Sequence, residues 1–212
     1  MKLYDYFRST ACYRVRVALN VKNIPYEKIE VHLIDNGGAQ NSIEYQRINP
    51  QKMVPSLEVD GQILHQSLAI IDYLDEKFPE VPLLPVDLFI RTHLKSMALI
   101  VACDMHPLNN LRVLNRLKHQ FKADETQIND WYHHWLREGF SAFEAQLSQL
   151  KRTKPVCFGD NITLADVCLI PQVYNAHRFH FPMDNYPIIN EINTYCLTLP
   201  AFKQASPDFS QG

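Results

Sequence analysis

The sequence predicts an α/β domain on a small mixed sheet, followed by an all-α domain. Two observations carry this. The first 78 residues read strand–helix–strand and then strand–strand–helix, and beyond a proline-punctuated stretch the pattern is helical to the end. That stretch, Pro79-Glu80-Val81-Pro82-Leu83-Leu84-Pro85, is the clearest boundary in the chain. The expected division is therefore a first domain over 1–79, a linker over 80–87 and an all-helical domain over 88–212. With 212 residues, 46% of them hydrophobic and 21% charged, the chain can bury a substantial core.

Leu3 to Phe7 is a short apolar and aromatic run suited to a buried strand. It stops at Arg8-Ser9-Thr10, whose polar side chains can cap the next helix. There Ala11, Val15, Ala18 and Leu19 share one face, with Arg14 and Arg16 elsewhere. Ile29, Val31 and Leu33 alternate with Lys28, Glu30 and His32, the period of a strand. Asn36-Gly37-Gly38 is a loop, and one or two helical turns fit Ser42 to Ile48. Asp60-Gly61 joins strands at Ser56–Val59 and Gln62–His65 as a hairpin. Ser67 opens an amphipathic helix carrying Leu68, Ile71, Leu74 and Phe78.

In the second half, a helix is expected from Leu88 to about Lys118, kinked or broken at Pro107. Another covers Thr126 to Leu150, and a third opens at Thr163-Leu164-Ala165-Asp166, where Asp166 can reach back to the cap. Pro187 suits the first turn of a last helix through about Leu199.

Charge and cysteine usage exclude several classes. Lys plus Arg number 21 against 23 Asp plus Glu, a net charge of -2, so no nucleic-acid partner is expected and any cationic site is local. The start, Met1 to Arg8, has no apolar signal-peptide core, and the run Met97 to Cys103 is far shorter than the ~20 residues a spanning helix needs. No membrane partner is expected. Five scattered cysteines without Cys-x-x-Cys spacing point to reduced thiols and a cytoplasmic location. His177 with His180, and His133 with His134, lack a carboxylate or cysteine to complete a set, so no metal site is expected. Trp131, Tyr132 and Trp135 at helical spacing read as core or interface.

Three loops can carry chemistry. At Arg8-Ser9-Thr10-Ala11-Cys12-Tyr13-Arg14, free N–H groups and the positive helix end favour an anion, and a hydroxyl can donate to a thiolate; alternatively Ser9 and Thr10 only cap. At Met53-Val54-Pro55-Ser56 the proline is either cis, leaving Val54's backbone free for an extended peptide, or an ordinary trans proline at a strand edge. At Gln66-Ser67 a helix start can hold a carboxylate, or is simply capped. Taken together the loops offer donors to an extended acidic peptide bearing a thiol, which describes glutathione.

At this point the chain resembles the zeta class of glutathione transferases. The resemblance rests on Tyr6-Phe7-Arg8-Ser9 with Arg14-Val15-Arg16-Val17-Ala18-Leu19, on Asn49-Pro50 with Val54-Pro55, and on His65-Gln66-Ser67-Leu68-Ala69-Ile70-Ile71. It continues through His106-Pro107-Leu108-Asn109-Asn110-Leu111, Gly159-Asp160 with Ala165-Asp166, and Pro171-Gln172-Val173-Tyr174-Asn175-Ala176-His177-Arg178-Phe179, nearly the whole chain. It implies a thioredoxin-like first domain, a helical glutathione-transferase second domain and a homodimer. It also implies a glutathione-dependent cis–trans isomerase that converts a small maleyl dicarboxylate, maleylacetoacetate, to its fumaryl isomer. Glutathione would be a recycled cofactor whose thiolate adds to the double bond, permits rotation and leaves.

The resemblance also implies roles. Ser9 is expected to stabilise the thiolate, with Thr10, Ala11, Cys12, Tyr13 and Arg14 completing the helix-start site. Val54 pairs with the cysteinyl backbone, and Gln66 and Ser67 hold the γ-glutamyl end. Gln40, His106, Asn110, Leu111 and Arg112 match further glutathione contacts, while Arg8 and Arg178 match cationic positions toward the second substrate. The family often reads Ser-Ser-Cys-Ser where this chain has Ser9-Thr10-Ala11-Cys12; a one-residue shift turns a helical side chain by about 100°, so the family's cysteine role does not carry over to Cys12 by position, and its role stays open. Alternatives are a maleylpyruvate isomerase, a general glutathione transferase, a thiol transferase using Cys12 as nucleophile, and a non-catalytic binding protein of the same fold.

Overall fold

The computed structural model of the chain describes residues 1–209, the side chain of Asn36 excepted. Strands β1 (Lys2–Asp5), β2 (Glu27–Glu30), β3 (Ser56–Val59) and β4 (Gln62–His65) form one sheet in the order β2-β1-β3-β4. β1 runs parallel to β2 and antiparallel to β3, and β3 pairs antiparallel with β4. The β3–β4 turn has positive φ at both Asp60 (51°) and Gly61 (76°), the geometry the Asp-Gly pair favours. Helices α1 (Thr10–Val21), α2 (Ile43–Ile48) and α3 (Ser67–Lys77) accompany the sheet.

Both β1 and β2 are shorter than their apolar patterns suggest, for one reason. After Asp5 the chain turns, and Ser9 N donates to Tyr6 O at 2.9 Å. Beyond Val31, whose N–H reaches Asp5 O at 2.7 Å, β2 has no partner strand left to follow.

α1 is buried on nearly every side, from Cys12 to Leu19. Arg14 and Arg16, placed by periodicity outside the apolar face, are 1% and 0% exposed. The Arg16 guanidinium pairs with Asp5 at 2.5 Å and donates to Phe7 O and to Ala205 O, each at 2.9 Å. It thereby fixes the end of β1, the loop leading to Ser9, and a short helix near the C-terminus.

That short helix is a separate element. The last helix expected from Pro187 through Leu199 ends at Cys196. Pro200, lacking an N–H to continue a helix but suited to its first turn, begins another over Pro200–Ala205. The chain forms two compact units: residues 1–83 with the described residues from Leu197 onward, and Leu84–Cys196. The first unit thus differs from the expected 1–79 segment by reclaiming the C-terminal stretch, because Pro200–Ala205 packs on α1.

In the second unit α4 (Leu88–Leu99) passes into a π-helical segment over Ile100–Met105. His106 N bonds to Val101 O, five residues back, at 3.0 Å. Pro107 lacks an N–H and its ring opposes the carbonyl four residues earlier, so the helix stops there. It restarts as α5 (Leu111–Gln120), with Asn110 as its cap. α6 (Glu125–Leu147) opens with a capping box in which Gln127 N donates to Asp124 at 2.9 Å and Asp124 N to Gln127 at 3.0 Å.

α7 (Leu164–Arg178) is pinned at its start by buried Asp166, which accepts from Thr163 N (2.8 Å), Thr163 Oγ1 (2.7 Å) and Cys157 N (2.8 Å). Burial raises the Asp166 pKa, and these hydrogen bonds oppose the rise. α8 (Pro187–Cys196) receives the Glu144 carboxylate at its first N–H groups, from Ile188 (2.8 Å) and Ile189 (3.0 Å). The Pro200–Ala205 helix completes the series as α9. Among the described residues no helix is long and apolar enough to cross a membrane.

Candidate active site

Ser9 caps α1 with extended backbone angles (φ -72°, ψ 119°), and its Oγ accepts from Cys12 N at 3.2 Å. It is half-buried at the positive end of the helix, and its hydroxyl also faces the Cys12 thiol. Arg8, beside it, is exposed with its guanidinium over the Phe7 ring at 5.0 Å. Thr10 is 2% exposed, yet its Oγ1 has no hydrogen-bond partner.

The start of α3 meets α1 through Ser67. Arg14 Nη1 donates to Ser67 Oγ at 3.4 Å, joining the starts of α1 and α3. Gln66, the residue before α3, holds φ 68°, a conformation that non-glycine residues adopt only when their surroundings impose it. Val54 packs in one apolar cluster with Tyr6, Cys12, Val31 and Tyr45. The Val54–Pro55 peptide is cis. The paired register of β3 begins at Ser56, and among the described residues Val54 N–H and C=O make no backbone hydrogen bond. Gln40 donates to Leu33 O at 3.1 Å, while its Oε1 is buried without a partner. Gly38 (φ +85°) lies so close that a Cβ there would overlap the Gln40 amide.

Cys12 stands apart from these groups. Its side chain is 0% exposed, and burial pushes the thiol far above its ordinary value. The Asp5 carboxylate adds to that rise, and Arg16 and Ser9 oppose it. Tyr13 is equally buried, its hydroxyl donating to Phe202 O at 3.3 Å. The Cys12 and Tyr13 side chains are therefore structural, and both backbone N–H groups are taken up by Ser9, Cys12 N by its Oγ at 3.2 Å and Tyr13 N by its carbonyl at 2.8 Å.

In the second unit the segments that carry the candidates are held to one turn of α6, Trp131 to His133. His106, Asn110, Leu111 and Arg112 follow the π-helical segment, with Leu111 and Arg112 exposed and Asn110 accepting from Arg112 N at 3.1 Å. Two bonds hold this segment to α6: Asn109 Nδ2 to Tyr132 O at 3.1 Å, and Trp131 Nε1 to Leu108 O at 2.9 Å. Arg178 is exposed in the last turn of α7, with its guanidinium 5.4 Å from the centre of the Phe179 ring. That ring stacks at 3.8 Å on Tyr132, and His133 Nε2 donates to Phe179 O at 2.8 Å. Asn109, Trp131, Tyr132 and His133 were not among the expected site residues. The helical spacing of the aromatic residues marked them as packing, but their hydrogen bonds to a distant loop leave no local pattern.

A four-stranded mixed sheet with a polar helix start, a cis-proline loop and a helical second unit defines the glutathione-transferase architecture. The model of the glutathione S-transferase N-terminal domain matches residues 3–82. A probable maleylacetoacetate isomerase of Vibrio cholerae is 45% identical over 207 residues, covering 97% of this chain and 95% of that protein. A glutathione S-transferase structure from Legionella pneumophila is 67% identical with a TM-score of 0.88, covering 98% of this chain and 100% of that one. The holo structure of a maleylpyruvate isomerase, a bacterial zeta-class glutathione S-transferase, gives a TM-score of 0.95 at 42% identity, covering 99% and 98%. The chain belongs to the glutathione S-transferase family, in its zeta class.

Proposed function

We propose that the chain is a glutathione-dependent cis–trans isomerase that converts maleylacetoacetate to its fumaryl isomer. The observation carrying this is the Val54 backbone, whose N–H and C=O stay unpaired in the cis-proline loop while its side chain packs with Cys12 from the start of α1. These groups fit an extended thiol peptide. Bound glutathione would supply the thiolate whose reversible addition makes a double bond single long enough to rotate.

The chain's own residues have three tasks. Ser9 and the start of α1 hold negative charge on sulfur, since a free thiol with pKa near about 8.5 is mostly protonated at neutral pH. Thr10, Ala11, Cys12, Tyr13 and Arg14 complete that helix start. Val54 meets the peptide backbone, Gln66 and Ser67 meet the γ-glutamyl end, and Gln40, His106, Asn110, Leu111 and Arg112 add contacts to the same ligand. Arg8 and Arg178 hold the carboxylates of the maleyl substrate, for which a planar guanidinium is better suited than an ammonium. This assignment lets a chain of net charge -2 attract a dianion.

The buried, proton-retaining Cys12 favours this reading over a Cys12 thiol transferase. Maleylpyruvate presents the same cis-enone and carboxylates, so it is the second substrate to assay. We place the enzyme in the cytoplasm, where its five free cysteines stay reduced. We also infer a homodimer, with Val86 (97% exposed), Leu88 (76%) and Phe89 (78%) supplying an apolar patch for the partner copy.

Purified protein assayed on both maleyl substrates, with and without glutathione, tests the proposal. Isomerisation should require glutathione and consume none; full activity in thiol-free buffer would overturn it. Arg178→Lys should already impair turnover, and Arg178→Ala should cost on the order of 2–4 kcal/mol in kcat/KM with glutathione affinity unchanged.

A further inference from the structure

Two loops assigned above to glutathione are joined by a ring of hydrogen bonds that closes through the His65–Gln66 peptide link. Asn49 Nδ2 donates to Met53 O at 2.8 Å and lies 3.3 Å from Ser56 Oγ. Ser56 Oγ is 3.3 Å from His65 Nδ1, and His65 immediately precedes Gln66. On the other side, Asn49 Oδ1 accepts from Gln51 N at 2.9 Å, and Gln51 Oε1 accepts from Gln66 Nε2 at 2.8 Å. Asn49 and Ser56 are 2% and 0% exposed, so water does not substitute for their partners. The ring thus runs Asn49, Ser56, His65, Gln66, Gln51 and back. It spans the carbonyl before Val54 and the left-handed Gln66 turn.

Counting hydrogens in this ring selects one tautomer. Tyr45 donates its only hydroxyl hydrogen to Met53 O at 2.8 Å, and its Oη lies 3.3 Å from Ser56 Oγ. Burial raises the Tyr45 pKa to about 12, so that hydrogen is present at neutral pH. Asn49 gives one N–H to Met53 and one to Ser56. A bare His65 Nδ1 would draw the Ser56 hydrogen, leaving the Tyr45 and Ser56 oxygens facing each other with none between them. With a hydrogen on Nδ1, Ser56 accepts from Asn49 and His65 and donates to Tyr45, and every group is satisfied.

We propose that Asn49, Ser56 and Nδ1-protonated His65 are positioning residues that fix the spacing of the Val54 and Gln66 loops and so set affinity for glutathione. They act through the backbone of Val54 and the conformation of Gln66, which persists only under such constraint. The proposal rests on the glutathione reading given above.

Calorimetric titration of the full chain with glutathione tests it, alongside thermal melting, kinetics and ring nitrogen NMR of His65. Asn49→Ala and His65→Leu should each weaken glutathione binding roughly tenfold, the effect of losing one buried hydrogen bond. kcat at saturating glutathione should stay near the parent value. His65→Asn, which keeps an N–H where Nδ1 stands, should restore affinity, and the neutral ring should carry its hydrogen on Nδ1. If Asn49→Ala does not fold, the His65 pair and the tautomer decide. Parent-like affinity in His65→Leu, equal losses in His65→Leu and His65→Asn, or an Nε2–H neutral ring would overturn the proposal. A parent chain that binds no glutathione would instead defeat the underlying reading, and the tautomer would still test the ring.

Discussion

Ser9 and Cys12 lie three residues apart at one helix start, and their surroundings give them opposite chemistry. Ser9 is half-buried as the cap of the helix start, whereas Cys12 is enclosed by Tyr6, Val31, Tyr45 and Val54 and retains its proton. Ser9→Ala should therefore cost about 3 kcal/mol in turnover, ~100-fold, together with about 1 kcal/mol of cap stability. Cys12→Ala should leave turnover of the folded enzyme near normal and lower its melting temperature. Greater catalytic harm from Cys12→Ala would restore the thiol-transferase alternative. A thiol-reactive dye offers a second check: only Cys103 is exposed among the five cysteines, so one thiol should react rapidly in the native protein and five after unfolding. The Ser9 cap was legible because a serine ahead of a helix is a local signal that needs no distant partner. Arg16 was not, since a lone arginine on a helix ordinarily faces water, and its buried role depends on carbonyls at Phe7 and Ala205 that only folding brings near.

Elements specified by local chemistry were readable, and those specified by a neighbour were not. The Asp60-Gly61 hairpin, the stop at Pro107 and the Asp166 reach-back each follow from residues close in sequence. The length of β2 depends instead on where β1 ends. The π-helical segment Ile100–Met105 packs on α6, and at its end Met105 crosses Gly139 so closely that a Cβ on Gly139 would overlap the Met105 Cγ and Sδ atoms. Nothing in the sequence around Gly139 signals this, because the contact joins residues on separate elements. Gly139→Ala ought to gain about 1 kcal/mol of helix propensity in an open helix. Here overpacking should prevail, with a net loss of roughly 1–2 kcal/mol by urea unfolding. The double variant Gly139→Ala/Met105→Ala should lose less than the two single losses summed, since each relieves the other. A Gly139→Ala chain more stable than the parent would show that the crossing has room to spare.

At the scale of the whole molecule, the proline-punctuated boundary was visible, but the return of the C-terminal segment to the first unit was not. Contacts between residues some 190 apart impose no periodicity on either partner. Yet α9 supplies acceptors to three residues of α1: Phe202 O to Tyr13, Ala205 O to Arg16 and Ala201 O to Asn20. Phe202 itself is 0% exposed. Ending the chain at Cys196 would forfeit about 2–3 kcal/mol of Phe202 burial and strand buried donors at about 1–3 kcal/mol each. That sum rivals the ~5–15 kcal/mol stability of an ordinary domain, so the first unit should lose its cooperative unfolding. The contacts within Leu84–Cys196 would be untouched, and helical circular dichroism from that unit should persist. Hydrogen exchange resolved by peptide separates the two units directly: amides of β1, α1 and β3 should exchange rapidly in the truncated chain, while those of α6 and α7 stay protected. Ending the chain after Ser206 keeps all three acceptors and should preserve protection in both units. Phe202→Ala should fall between, at roughly 3–5 kcal/mol. Native protection of α1 in the chain ending at Cys196 would mean that residues 1–83 fold without their C-terminal complement, and α9 would then be an accessory to that unit.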